Sequence, residues 1–148
     1  MFAGTVVSLS VVLTGSPNPV EYFIPVDPPG MTEAIRWDAE NGLTMIVENA
    51  CDDSWAKEFD ESIADWNQTD ALVIRTRRTA HDPDCGEFIG RLRVCNSNYG
   101  ETNWKGLNVV FMRDDFIVHS VSKLNDYWLT TEAQRLYTMC HELGHGCK

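Results

Sequence analysis

The feature that most constrains the fold is a helix predicted near the end of the chain, beginning after Thr131. Thr131 is a good N-cap residue, and Gln134 lies three positions later, which completes a capping box. Apolar residues then recur at helical spacing, at Leu136, Cys140 and Leu143. The pattern predicts a helix with one apolar face.

This helix carries the motif His141-Glu142-Leu143-Gly144-His145. Two histidines at positions i and i+4 project from the same side of a helix, so both imidazoles can reach one zinc ion at about 2.0–2.1 Å. Glu142 is rotated by about 100° from His141, where a carboxylate can hold and deprotonate a zinc-bound water. Zinc lowers the pKa of that water towards about 7. The spacing therefore predicts His141 and His145 as zinc ligands and Glu142 as a general base. The alternative is a surface helix with two unrelated histidines.

The rest of the chain alternates between strand-like and helix-like patterns. Residues 43–47 alternate as a half-buried strand does, and the following helix has apolar residues spaced four, four and three apart: Trp55, Phe59, Ile63 and Trp66. Further strands are predicted at residues 72–76, 90–95, 108–112 and 116–121. The first two strands and their helix form a β-α-β crossover, which favours parallel strands. The predicted order is β-α-β-β-β-β-α, an α+β domain with about five strands in a mostly parallel, twisted sheet and two helices.

Charge and hydropathy limit the possible partners. The 12 basic and 22 acidic residues give a net charge of −10. Long-range repulsion therefore opposes binding to nucleic acid or to an anionic membrane surface. No apolar run reaches the length of about 18 residues that a membrane-spanning helix needs. We therefore expect an acidic domain with no nucleic-acid partner and no membrane span.

The first 35 residues differ from the rest. Residues 1–13 are apolar, and small residues follow at 14–16, so this stretch could be a secretory signal or a buried N-terminal strand. Five of the six prolines lie between residues 17 and 29, a composition typical of an extended leader. We divide the chain into a signal-like, proline-rich leader over residues 1–35 and a folded domain over residues 36–148.

The five cysteines, Cys51, Cys85, Cys95, Cys140 and Cys147, contain no C-x-x-C pair, which argues against a cysteine zinc knuckle or a thioredoxin-like site. Cys85 and Cys95 flank a turn and a strand-like run, so a disulfide between them could close a hairpin. Cys51 and Cys140 could then join the two helices. The alternative is free buried thiols in a reducing compartment.

The motif in its context, Cys140 to Gly146, resembles the start of the zinc helix of the metzincin metallopeptidases, and of matrixin-like enzymes in particular. Four other stretches are similar to secreted matrixin-like peptidases of microbes: Trp66-Asn67, Cys95-Asn96 through Tyr99-Gly100, Trp104-Lys105-Gly106 and Asn125-Asp126-Tyr127. The resemblance covers roughly residues 36–147.

The resemblance implies a zincin-like N-terminal subdomain with a five-stranded sheet and an active-site helix. It also implies one catalytic Zn2+ held by His141 and His145, with Glu142 as the general base. A protein or peptide substrate would add as a strand to the edge strand, residues 108–112. The resemblance thus implies a secreted zinc endopeptidase.

The sequence departs from the family where the third ligand is due. The family pattern H-E-x-x-H-x-x-G-x-x-H places a glycine at position 148 and the third histidine at 151, but position 148 is Lys148, the last residue. The methionine turn would also lie downstream. We therefore expect a catalytic domain that is incomplete at its C-terminus, with weak zinc binding and little or no activity, because catalytic zinc normally has three protein ligands. The alternatives are a non-catalytic secreted pseudopeptidase that binds a partner, and a cytosolic protein with an accidental motif.

Three weaker candidates for metal binding remain. His119 lies in a strand pattern and could be a third ligand, although an ordinary half-buried histidine is favoured. His81, Asp82 and Asp84 could belong to a structural zinc or calcium site, but a solvated loop is favoured. Cys147 lies only two residues after the second motif histidine, which makes shared coordination awkward.

Overall fold

One mixed β-sheet and two helices packed on it form the fold. The structure is a computed structural model that describes residues 9–12, 36–37, 43–70, 72–86, 90–113 and 116–147. The helices are a short 3-10 helix at Asp53–Trp55, α1 at Ala56–Trp66 and α2 at Glu132–Gly146. None of the described helices is long and apolar enough to span a membrane.

Within the described residues the sheet has seven strands, which are β1 (Leu9–Val12), β2 (Arg36–Trp37), β3 (Leu43–Asn49), β4 (Leu72–Arg78), β5 (Leu92–Ser97), β6 (Gly106–Arg113) and β7 (Phe116–Asn125). Their order is β1-β6-β7-β5-β3-β4, and β2 pairs with the start of β7. Strands β3, β4, β5 and β7 run parallel, whereas β6 is antiparallel to both β7 and β1. The α+β class, the mostly parallel sheet formed by β3 to β7, and the two helices are therefore confirmed.

Two short strands lie at the start of the chain. Residues 9–12 form a strand, as the alternative interpretation of the leader proposed, and β2 begins at Arg36. Because β1 pairs with β6, the strand expected at the sheet edge, residues 108–112, has a neighbour on both sides. Residues 1–8 and most of the proline-rich leader, 13–35, lie outside the described residues.

Helix α1 buries the predicted apolar stripe. The Asp52 carboxylate accepts a hydrogen bond from the Ser54 amide at 2.8 Å and caps the short 3-10 helix that leads into α1. Trp55, Phe59 and Ile63 are buried in the main core. This core holds α1 against the sheet.

Helix α2 begins as predicted but buries a different face. The Thr131 side chain accepts a hydrogen bond from the Gln134 amide at 3.3 Å. Met139 and Leu143 are fully buried, whereas Leu136 and Cys140 are only half-buried. The prediction of the apolar face is wrong, because the buried face of α2 is rotated from it by part of a turn. The buried face also includes small and polar residues: Thr138, Glu142 and Gly146.

Two glycines of α2 allow its close packing. A Cβ at Gly146 would lie 2.5 Å from a methyl carbon of Leu92 in β5, and a Cβ at Gly144 would lie 2.6 Å from the Trp66 ring. The Trp66 indole also donates a hydrogen bond to the Cys140 carbonyl oxygen at 3.1 Å, which joins the two helices. Gly144, inside the motif, therefore makes room for α1.

One of the two disulfides suggested by the spacing is present. Cys85 and Cys95 are bonded, with their Cα atoms 5.6 Å apart. Cys51, Cys140 and Cys147 are free thiols, so the second bridge is absent from the described residues. Cys51 is buried in the main core, and burial raises its pKa strongly, which keeps the thiol protonated.

We predict that the double substitution Cys85→Ala/Cys95→Ala lowers the unfolding free energy by about 2–3 kcal/mol, because the bridge restricts a short loop in the unfolded chain. Urea denaturation measures the loss. Thiol titration of the unreduced, denatured wild type should find the three free cysteines that the structure contains. Five reactive thiols would contradict the pairing.

Candidate metal centre

A buried polar network fixes the height and rotation of α2 over the sheet. The Asn108 amide nitrogen lies 2.9 Å from Ser120 Oγ and 2.8 Å from Ser122 Oγ, which joins β6 to β7. Ser122 Oγ donates to the carbonyl oxygen of Glu142 at 3.2 Å, and the Asn108 amide approaches the same oxygen at 3.4 Å. All four residues are almost completely buried. The middle of the motif is therefore attached to the sheet through its backbone.

The two motif histidines converge as their spacing predicts. The Nε2 atoms of His141 and His145 are 2.9 Å apart, and the rings meet at an interplanar angle of 82°. Two zinc–nitrogen bonds of about 2.05 Å to atoms at this separation would enclose an angle of about 90°. Tetrahedral coordination needs a separation of about 3.3 Å, so a small rotation of either side chain fits both rings to one ion. Both residues are partly exposed, which leaves them accessible to an ion.

The distance of 2.9 Å between the two Nε2 atoms is also that of a hydrogen bond between the two rings. One imidazole donates an N–H to the lone pair of the other. A metal needs the lone pairs of both Nε2 atoms, so its binding must move that shared proton to a distal ring nitrogen or to solvent.

Glu142 is placed beside this pair in the sequence, but its side chain is fully buried. Neither carboxyl oxygen has a hydrogen-bond partner among the described residues. Burial raises the Glu142 pKa from its usual 4.5 to about 8, because the charged form is poorly solvated there. The carboxyl group is therefore mostly protonated at neutral pH in the absence of a cation, and a nearby cation would shift it towards the ionised form that a general base requires.

The space for the Glu142 side chain comes from Gly106, the first residue of β6. A Cβ at this position would overlap Glu142 Oε1 and would lie 2.7 Å from Glu142 Cγ and 2.6 Å from Thr138 Cγ2. Glu142 therefore lies where β6 begins.

His119 lies on the wrong side of the sheet to complete the site. Asn108 and Ser122 face α2, and the paired residues Phe111 and His119 are each three positions away, so strand alternation places them on the opposite face. The two rings stack there with centroids 3.9 Å apart. His119 is therefore an ordinary strand histidine, as favoured, but it is buried rather than half-buried, and the ligand interpretation does not fit.

The loop candidates have structural partners. The Asp82 carboxylate accepts backbone hydrogen bonds from Gly86, Cys85 and Asp84 at 2.9, 3.1 and 3.2 Å, and lies 3.1 Å from Arg93. The amide of Gly86 lowers the Asp82 pKa most, with a further contribution from the charge of Arg93. His81 Nε2 bonds to the carbonyl oxygen of Asn96 at 2.9 Å. These residues close the loop that leads to the disulfide at Cys85. The hairpin predicted there is wrong for the described residues, because β5 pairs in parallel with both β3 and β7.

Cys147 does not join the histidines. Its Sγ contacts the Met45 sulfur at 3.6 Å, and burial raises its pKa to about 12, so it remains a thiol. Across the part of the chain that the structure describes, no three His, Cys, Asp or Glu side chains are grouped to hold a metal. Among the described residues, the candidate site therefore offers two side chains that converge for metal binding, His141 and His145.

Several residues that support the site were not identified from the sequence. Asn108, Ser120 and Ser122 interrupt otherwise apolar strands, and buried polar residues need partners. That pattern was a usable signal, but it does not reveal that the partner is a helix carbonyl group. Tyr137, one turn before His141, was also missed; its exposed ring stacks on the His141 ring with a centroid distance of 5.9 Å.

No known protein family, curated protein or solved structure matches the chain.

We predict that Glu142→Gln removes a pH dependence of stability in the metal-free protein. The folded state binds the Glu142 proton more tightly than the unfolded state, so this contribution is complete below pH 4.5 and is lost as the pH rises to about 8. The loss is at most roughly 5 kcal/mol, and Gln should avoid it. Urea denaturation in EDTA at several pH values measures the difference between wild type and variant. A constant difference from pH 4.5 to 8.5 would contradict the raised pKa.

We predict that Gly106→Ala lowers the unfolding free energy by about 1–3 kcal/mol through overpacking. This loss of unfolding free energy should be smaller in a protein that also carries Glu142→Ala, because two of the three close contacts of the added methyl group involve Glu142. A double-mutant cycle measures this coupling. Gly86→Ala is a matched control, since the nearest atom to its added Cβ is 3.5 Å away. Additive costs would show that Glu142 does not lie against Gly106.

Proposed function

We propose that the chain is part of a secreted zinc metalloendopeptidase of the matrixin type, with a zincin-like subdomain and a protein or peptide substrate. The observation that carries this proposal is the convergence of His141 and His145, with Nε2 atoms 2.9 Å apart, on the helix that also carries the buried carboxyl group of Glu142. This combination supplies two metal ligands and one proton acceptor on a single helix.

Each residue has a distinct part in the proposed reaction. His141 and His145 would hold the ion, which when bound polarises the substrate carbonyl group and acidifies a water molecule. Glu142 would accept the proton of that water and deliver it to the leaving amine. Burial raises the pKa of Glu142 to about 8 in the metal-free protein, and a bound cation would lower it towards the ionised form that accepts a proton.

The two-ligand site limits what this chain should do by itself. Catalytic zinc sites normally have three protein ligands, so two histidines should hold zinc weakly and leave its position poorly defined. We therefore propose that peptidase activity of this 148-residue chain is low or absent.

The secreted location is supported by the Cys85–Cys95 disulfide, because such bonds persist in oxidising compartments. A disulfide that closes a loop next to the sheet also favours an exported protein over the cytosolic alternative.

A second candidate is a secreted pseudopeptidase that keeps the fold and binds a partner. It is favoured by the absence of a three-ligand group among the described residues. The buried Glu142 favours the enzyme, because an unpaired buried carboxyl group is destabilising and a purely structural domain gains nothing from it.

We predict that the wild type binds zinc weakly and that His141→Ala or His145→Ala weakens binding at least about tenfold, since either change leaves one protein ligand. Metal analysis after dialysis against buffers of fixed free zinc measures the affinity. His81→Ala is the matched control, because it removes a histidine whose ring bonds to the Asn96 carbonyl oxygen in β5.

Glu142→Gln should still bind zinc, and it should lose any peptidase activity that the zinc-loaded wild type shows. Equal zinc binding in the wild type and both ligand variants would contradict the metal centre. Zinc binding without hydrolysis by any form, including one given an external imidazole as third ligand, would favour the pseudopeptidase.

A further inference from the structure

The outer edge of β6 is covered by a strand from the beginning of the same chain. Leu9, Ser10, Val11 and Val12 pair antiparallel with Val110, Val109, Asn108 and Leu107, in that order. In the sheet order β1 is terminal, so β6 is its one sheet neighbour among the described strands. The contact is thus an added strand of four residues.

The register brings β1 to the candidate metal centre. Its last residue, Val12, pairs with Leu107, which follows Gly106, and Gly106 lies against the Glu142 carboxyl group. Asn108, the partner of Val11, is the residue that attaches β6 to α2. The backbone of β1 therefore runs along β6 towards the proton acceptor.

We propose that Leu9–Val12 is an internal competitor that occupies the β6 edge in place of an extended peptide. The proposal rests on the proposed function in one respect, since it takes a peptide as the ligand that displaces β1. The partner is defined by its chemistry: a segment of at least four extended residues without proline that can form an antiparallel ladder with Leu107–Val110.

Two features make this strand displaceable. A four-residue terminal strand forms few ladder hydrogen bonds, and edge segments open at a small fraction of the global unfolding free energy. Because β1 is part of the same chain, its effective concentration at the edge is of the order of millimolar, so free peptides must compete with it. A weakly bound peptide would therefore reach β6 only after β1 is released.

The test uses the full chain with Ser10→Pro/Val11→Pro. Ladder hydrogen bonds alternate along an antiparallel strand, so two consecutive prolines remove a paired N–H in either phase. Ser10→Thr/Val11→Ile is the control, because it preserves strand propensity. All measurements are made in EDTA, so they do not depend on zinc.

Residue-resolved amide hydrogen exchange provides the first readout. We expect the amides of Leu107–Val110 that point towards β1 to exchange at least about tenfold faster in the proline variant than in the control variant. The intervening amides, which point towards β7, should be unchanged and show that the sheet remains folded. Equal exchange at all four residues in both variants would overturn the proposal.

Peptide binding provides the second readout. A fluorescent peptide with the sequence of residues 7–14 should bind the proline variant at least about tenfold more tightly than the wild type, since no internal strand competes. The same peptide with prolines at the two central positions should bind neither protein. Equal affinity for both proteins would overturn the proposal. If the proline variant fails to fold, titration of the wild type with this peptide into the millimolar range should still accelerate exchange of the Leu9–Val12 amides that pair with β6, because displacement releases β1. No change in their exchange would overturn the proposal.

The two proposals fail separately. If the histidine variants bind zinc as the wild type does but a peptide still displaces β1, the peptidase proposal fails and a peptide-binding edge remains. If the protein binds zinc through the two histidines but no peptide displaces β1, the metal centre remains and the proposed competition at β6 fails.

Discussion

The position of the candidate site depends on one buried interaction, the attachment of the Glu142 carbonyl oxygen to Asn108 and Ser122. Unpaired polar groups in a protein interior cost about 1–3 kcal/mol each, so these side chains favour one placement of α2 over any other. That placement turns the Glu142 side chain towards the start of β6 and leaves the two histidines partly exposed. A shift of α2 along the sheet would break the attachment and separate the carboxyl group from the space above Gly106.

Close packing then gives the site its unusual electrostatics. Gly146 lets α2 approach β5, and Gly106 lets it approach β6, so Glu142 is enclosed where other residues would keep a helix further away. The enclosure removes water from a carboxyl group that has no partner among the described residues. A buried carboxyl group without a hydrogen-bond partner destabilises the fold when it is charged. Destabilising groups of this kind are found most often where function requires them.

Patterns local in the chain were readable from the sequence, and long-range contacts were not. The strand at residues 43–47 was predicted from alternation, and the start of α2 from a cap that involves only Thr131 and Gln134. The buried face of α2 was misread because Glu142 and Gly146 do not look like core residues. The pairing of β1 with β6 joins segments about 100 positions apart, and nothing in residues 9–12 specifies which edge they cover. Cys51 and Cys140 were paired from spacing alone, which cannot establish connectivity.

The two motif histidines and the edge of β6 each have a substitute partner within the chain, whereas Glu142 is protonated without one among the described residues. His141 and His145 share a proton where an ion would bind, Glu142 retains its own proton where a cation would remove it, and β6 holds β1 where a peptide would add. These substitutes reduce the cost of a site whose polar groups would otherwise be unsatisfied. Metal binding must reverse the first, and a cation close to Glu142 would reverse the second, whereas peptide binding must reverse the third. The metal and the peptide therefore meet separate barriers, and occupation of one part of the site does not by itself open the other.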